Sequence, residues 1–115
     1  MREGGGTEMF ISSMKMKGRP EKRNEILQTI SGISDLIKLN KGCLSADCYQ
    51  DINNENIYCL VDVWQTQQDL DEYLGSRLFV VLLGIKTLLV EMPEIKLLVE
   101  DCIYNCDGKK GNQVH

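Results

Sequence analysis

The sequence predicts a small α+β protein: one four-stranded antiparallel sheet with its helices on one face. Three observations predict it. Ile26, Ile30, Ile33 and Ile37 recur at steps of four, three and four, the spacing of a single helical stripe. Residues 57–64 instead alternate with period two and follow an Asn-rich turn, as a strand of a hairpin does. A second apolar helical run, residues 77–90, stops at Met92-Pro93 and gives way to another alternating segment.

The elements follow in chain order. Residues 1–8 hold three consecutive glycines and little to bury, so a flexible leader is expected. Residues 9–16 suit a first strand. Gly18, Arg19 and Pro20 then punctuate, and proline is favoured in the first turn of a helix, where its missing N–H would be unpaired anyway. The helix should run over 21–39, with Leu27 and Leu36 flanking the isoleucine stripe. Gly32 weakens its middle by about 1 kcal/mol relative to Ala. Asn40-Lys41-Gly42 should end it, because Asn and Gly tolerate left-handed backbone.

Residues 43–50 form the second strand, with Leu44, Ala46 and Cys48 on one face and Ser45, Asp47 and Tyr49 on the other. On that alternation Cys43 and Cys48 face opposite ways. In the third strand, Ile57, Cys59, Val61 and Val63 form one apolar face, and Tyr58, Leu60, Asp62 and Trp64 form the other. Thr66 is a candidate N-cap, with Asp69 in the position of a capping-box acid. Leu70, Tyr73 and Leu74 make the inner face of the short helix that follows, and Gly75-Ser76 breaks it. Residues 77–90 continue helically with Leu78, Val81, Leu82, Ile85 and Leu89 as the stripe. The last strand is expected over 95–104, and a loose polar tail over 105–115. The order β-α-β-β-α-β is the split-βαβ, ferredoxin-like arrangement. Its second sheet face is apolar and bare of helices, which predicts a homodimer closed over the sheets.

Composition narrows the function. The chain has 115 residues, 43% hydrophobic and 26% charged, with 13 Lys plus Arg against 17 Asp plus Glu. The net charge of -4 argues against a partner recognised through phosphate backbones, so no nucleic acid is expected. No run approaches the roughly 20 apolar residues of a membrane span, and no signal peptide is apparent, so the reading is cytoplasmic and free of membrane. The one histidine is His115. A Ser-His-Asp triad and a 2-His-1-carboxylate iron site therefore have no internal histidine to use. Cys43, Cys48, Cys59, Cys102 and Cys106 are odd in number and contain no CxxC, so reduced thiols and no metal site are expected. A Cys102–Cys106 redox pair is the alternative.

Several short segments, in order, resemble the antibiotic biosynthesis monooxygenase family. Gly18-Arg19-Pro20-Glu21-Lys22-Arg23 resembles its "PGK"-type helix start. Lys41-Gly42-Cys43-Leu44-Ser45 resembles its "PGCLS" lead into the second strand, and Val61-Asp62-Val63-Trp64 its "EVW" strand end. Tyr49-Gln50-Asp51 before the Asn-rich turn, Asp69 to Ser76 with Phe79, and Met92-Pro93-Glu94-Ile95 fit as well. The likeness spans residues 9–104, which defines the expected domain. The resemblance implies a dimeric α+β barrel with a small cavity between sheet and helices. It implies cofactor-independent oxidation of quinols or polyketide-like aromatics by O₂ in some members and haem degradation in relatives. Many members carry His where this chain has Tyr73 and Leu78. Of the haem-degrading set, only Trp64 is present.

Six residues are candidates for a site. Trp64 is the lone tryptophan, either a core aromatic with a satisfied indole or a flat wall for an aromatic substrate. Tyr73 stands at the family histidine position; as a phenol it is a poor base but a good donor to an oxyanion. Asp62 is an acid within an apolar strand, where desolvation raises its pKa toward that of a useful base, unless it reaches solvent or pairs with Arg77. Arg77 is a substrate clamp or a surface charge. Ser12 and Ser13 are adjacent, so one of them must face the helices. Together they suggest a cofactor-independent monooxygenase, with Asp62 and Tyr73 catalytic and Trp64, Arg77, Ser12 and Ser13 binding substrate. The alternative is a non-catalytic dimeric barrel that holds or senses a small apolar ligand.

Overall fold

The computed structural model describes residues 8–101. Strand β1 (Glu8–Lys17) leads through a single 3-10 turn at Pro20–Lys22 into helix α1 (Arg23–Ile37). Strands β2 (Cys43–Gln50) and β3 (Ile57–Trp64) form a hairpin. Helices α2 (Gln67–Leu74) and α3 (Arg77–Leu83), a 3-10 turn at Gly84–Leu88 and strand β4 (Glu94–Asp101) complete the chain. The strands make one antiparallel sheet in the order β2-β3-β1-β4. This is the ferredoxin-like α+β arrangement that the hydrophobic pattern predicts. The expected leader lies almost wholly outside the described residues. So do the tail, Cys102 and Cys106.

The isoleucine stripe explains why α1 docks. Ile26, Ile30, Ile33 and Ile37 are all buried against the sheet. Each is worth about 1.5–3 kcal/mol on full burial, which outweighs the weakness at Gly32 several-fold. Leu27 and Leu36 lie outside the seam and stay exposed. The Asn40 side chain donates to the carbonyls of Leu36 and Ile37 and closes the helix. Gly42 then turns the chain at φ 82°, where a Cβ would overlap the Asp69 carboxylate.

Two expectations change. The run at 77–90 is not one helix. Ser76 caps α3 by accepting from the Phe79 N–H, and α3 gives way at Gly84 to the 3-10 turn. The cause is tertiary. Arg19 N–H donates to the Leu88 carbonyl and Val90 N–H to the Lys17 carbonyl, so the end of β1 pairs with the chain around Leu89, which is extended there after the 3-10 turn. Val81, expected in the apolar stripe, is 55% exposed, while Leu82, Ile85 and Leu89 are buried.

The second change is in β2. Cys43 pairs with Trp64 and Ser45 with Val63, so Leu44 is an extra residue in a bulge. Leu44 is thrown out of the face it was expected to share with Ala46 and Cys48. Cys43 joins those two on the helix side, rather than opposing Cys48.

The helices cover β2, β3 and β1 on one side. On the other, Ile57, Cys59, Val61 and Val63 stay only half-buried. Edge strand β4 is exposed on both sides, Ile95, Leu97 and Val99 on one and Leu98 on the other.

Candidate functional site

Strand β3 places Asp62 and Trp64 on the helix-facing side of the sheet. Asp62 sits between Ser12 of β1 and Ala46 of β2 in register, and Trp64 sits between Phe10 and Cys43. Trp64 is 0% exposed and Asp62 1%. The indole N–H donates to Asp62 Oδ2 over 2.6 Å. Two residues apart on one strand face is the spacing that lets this bond form.

Helix α2 closes the cluster. Thr66 accepts from the Asp69 N–H at 3.0 Å and donates to Asp69 Oδ2 at 2.8 Å. Asp69 also meets Lys41 Nζ at 3.5 Å, beneath Gly42. The helix so fixed lays the Tyr73 ring on the Trp64 indole, with centroids 5.0 Å apart and planes inclined by 22°. Phe79 of α3 meets Tyr73 edge-on at 5.4 Å.

The electrostatics follow from burial. Desolvation lifts the Asp62 carboxyl to about 6, against a partial lowering by the Trp64 hydrogen bond. Burial also pushes the Tyr73 phenol up, and the Asp62 and Cys43 charges push it further. Tyr73 therefore stays a protonated donor. Its hydroxyl is buried and has no hydrogen-bond partner among the described residues. The Cys43 thiol is raised by burial and then by Asp62, and its S–H is engaged with the Ser45 carbonyl at 3.4 Å. It is not poised as a thiolate nucleophile.

The structure thus brings Asp62, Trp64, Tyr73 and Ser12 together. Ser12 is buried beside Asp62, whereas Ser13 faces the opposite side of the sheet. Arg77 is exposed at the start of α3, and no described ion pair joins it to Asp62. Cys43 and Phe79 belong to the cluster but were not candidates. Cys43 arrives only through the bulge at Leu44. Phe79 lies beyond the break at Gly75-Ser76, where helical spacing from Tyr73 no longer holds.

The cavity expected beside Trp64 is filled by Tyr73. Among the described residues surface cavities open elsewhere, and Asp62, Trp64 and Tyr73 do not line these. Among the described residues no group of three or more His, Cys, Asp or Glu could hold a metal, and no helix is long and apolar enough to cross a membrane.

Fold and cluster together define a ferredoxin-like α+β domain with a carboxylate and stacked aromatics sealed between sheet and helices. The chain belongs to the antibiotic biosynthesis monooxygenase family, whose sequence model matches residues 9–81. No curated protein matches its sequence significantly. Among solved structures it is similar to Rv0793 from Mycobacterium tuberculosis, at 19% identity and a TM-score of 0.71 over 78% of this chain and 92% of that one. A conserved protein from Methanosarcina mazei Go1 aligns at 19% identity and a TM-score of 0.73, covering 85% and 97%. A protein of Caulobacter crescentus CB15, provisionally named an antibiotic biosynthesis monooxygenase, aligns at 18% and 0.72, covering 81% and 90%. At these identities the likeness is one of fold.

Proposed function

We propose that this protein is a cofactor-independent monooxygenase-type oxidoreductase. Its substrate would be a small electron-rich aromatic such as a quinol, phenol or polyketide-like ring, with O₂ as co-substrate. One observation carries the reading. The Asp62 carboxyl, buried and held to the Trp64 indole, is raised to about 6, and the Tyr73 ring stacked on that same indole carries a hydroxyl with no described partner. A base tuned near neutrality is what proton removal from such a ring needs.

In this reading Asp62 takes the proton, and Tyr73 donates to the substrate oxygen where negative charge develops. The substrate carbanion passes electrons to O₂. One oxygen atom stays as a new carbonyl and the other leaves as water. Ser12 binds substrate beside Asp62, and Arg77 clamps it from the rim. Ser13, on the far face, has no part. Because Tyr73 lies on the indole, substrate reaches Asp62 only when α2 moves off the sheet. Trp64 is then the wall on which the ring stacks.

The working unit in this proposal is a homodimer closed over the bare face of Ile57, Cys59, Val61 and Val63. It acts in the cytoplasm, where the free thiols of Cys43, Cys48 and Cys59 stay reduced. The domain is taken as residues 9–104.

A second reading is a non-catalytic barrel that binds a small apolar ligand, and the sealed packing at Trp64 favours a third, a dimeric scaffold with a filled core. Oxygen uptake with an anthrone or quinol decides between them. Uptake above background that falls about 100-fold in Asp62→Asn supports the oxygenase. No uptake, with saturable quenching of Trp64 fluorescence by the same compounds, supports the binding module. Neither uptake nor quenching rejects both and leaves a scaffold with a filled core.

A further inference from the structure

Asp62 is sealed under α2, and among the described residues no cation pairs with it. On its own strand it accepts from the Trp64 indole. In register it lies between Ser12 of β1 and Ala46 of β2, both uncharged. α1 buries only isoleucines and Ser34, and α3 and the turn after it bury Leu82 and Ile85. Two titratable groups feel the Asp62 charge, the Cys43 thiol of β2 and the Tyr73 phenol of α2, and burial pushes both up, so they stay protonated. Lys38 and Asp47, both exposed, act on Cys43. On α2, Asp69 is held by Thr66 and Lys41, while Asp71 and Glu72 are exposed. Arg77 is exposed as well.

The cover over this carboxyl is slight. α2 has eight residues, and an isolated helix that short is marginal in water. It buries Asp69, Leu70 and Tyr73 and leaves most of its other side chains in solvent. Segments with few buried contacts open locally before the whole chain unfolds. A carboxylate in water takes several donors, whereas under α2 the indole N–H is its one described donor. The covered group titrates at about 6, and an uncovered, hydrated one titrates near the ordinary 3.8. Closure is therefore favoured most below pH 3.8 and loses that support as pH rises through about 6. By linkage the open fraction should rise about 50-fold between about pH 4 and pH 7 and then level off.

We propose that ionisation of Asp62 releases α2 from the sheet, so that acid keeps the aromatic cluster closed and neutral solution opens it. As a device for admitting substrate this rests on the oxygenase reading above; as a motion it does not. The test uses the full chain without substrate. Its one tryptophan gives a single indole N–H signal, whose hydrogen exchange is followed by NMR across this pH range. Dividing each rate by that of free indole at the same pH gives the open fraction. Wild type should show the rise of about 50-fold with weak dependence on added urea, while amides of β1 and β3 depend on urea steeply. Asp62→Asn, which cannot ionise, should show no rise. Thr66→Ala, which removes the α2 cap, should speed indole exchange at every pH. A flat wild-type profile, the same rise in Asp62→Asn, indole exchange as steep in urea as the strand amides, or no effect of Thr66→Ala would each overturn the proposal. If Asp62→Asn does not fold, the wild-type profile and its urea dependence still decide. Absent oxygen uptake with the expected exchange profile removes the oxygenase and keeps the opening, whereas uptake with a flat profile removes only the opening.

Discussion

The Trp64 indole N–H donates to the Asp62 carboxylate at 2.6 Å, and both residues are sealed from water. The bond gives Asp62 one donor where hydration would have given several. That imbalance is why the carboxyl titrates at about 6 rather than at its ordinary 3.8.

The sign of the resulting pH effect is definite. Between 3.8 and about 6 the folded state holds a proton at Asp62 that the unfolded chain has released. The contribution of this group is therefore fully present below pH 3.8 and is lost as pH rises through about 6. The loss amounts to about 3 kcal/mol. Asp62→Asn keeps an acceptor for the indole and removes the charge. Urea denaturation at a series of pH values should show the variant gaining on wild type by about 2–3 kcal/mol between pH 4 and pH 7, with no gain below pH 4.

Trp64→Phe removes the donor instead. The Asp62 carboxyl then has less to offset its desolvation, and its titration point should move above 6. Carboxyl NMR titration reads this directly. At pH 7 the variant should lose about 1.5–3 kcal/mol for the hydrogen bond to a charged group, with the missing ring volume adding to it.

Tyr73→Phe separates stability from activity. The buried hydroxyl has no partner to lose, so the variant should unfold at the same urea concentration as wild type or up to about 1 kcal/mol later. If Tyr73 is the oxyanion donor, oxidation should fall about 100-fold in the same protein. A variant both less stable and fully active would contradict both roles.

Much of this arrangement was legible from the residues. The stripe from Ile26 to Ile37, the alternation from Ile57 to Trp64 and the Thr66 cap each depend on near neighbours, and each stands as read. The bulge at Leu44 was not legible, because nothing in Gly42-Cys43-Leu44-Ser45 distinguishes a bulge from regular pairing. It is set by which β3 residues Cys43 and Ser45 meet. The break after α3 was hidden for a similar reason. Its cause is the pairing of Leu88 and Val90 with Arg19 and Lys17, far back in the chain. Asp62 and Trp64 could be placed on one face by parity. That Tyr73 would cover the indole rather than leave a cavity depends on how α2 docks.

Gly42→Ala tests the close approach to Asp69. Left-handed backbone at a non-glycine residue costs about 1–3 kcal/mol, and the Cβ also collides with the carboxylate. The variant should lose about 3 kcal/mol or more in urea denaturation. In an Asp69→Ala background the carboxylate is gone but the Cβ of residue 69 still lies 2.7 Å from the new Cβ, so the same substitution should cost less, though more than the backbone share alone.

The bare sheet face gives a further test. Val61→Lys places a charge in the middle of the half-buried apolar strand. Light scattering should show a dimer for wild type and a monomer for the variant, with far-UV circular dichroism unchanged. A monomeric wild type at micromolar concentration would rule out the homodimer.

The Gly42–Asp69 contact also bears on how the aromatic cluster could open. Asp69 is held by Thr66, by Lys41 and by the turn at Gly42, all at the first turn of α2. Tyr73 rides near the opposite end, where Gly75 and Ser76 separate α2 from α3. This end is tied as well, since the Tyr73 carbonyl accepts from the Ser76 hydroxyl at 2.7 Å and Phe79 packs edge-on against the Tyr73 ring. Any motion of α2 that uncovers Trp64 therefore carries the start of α3 with it or breaks the Tyr73–Ser76 bond.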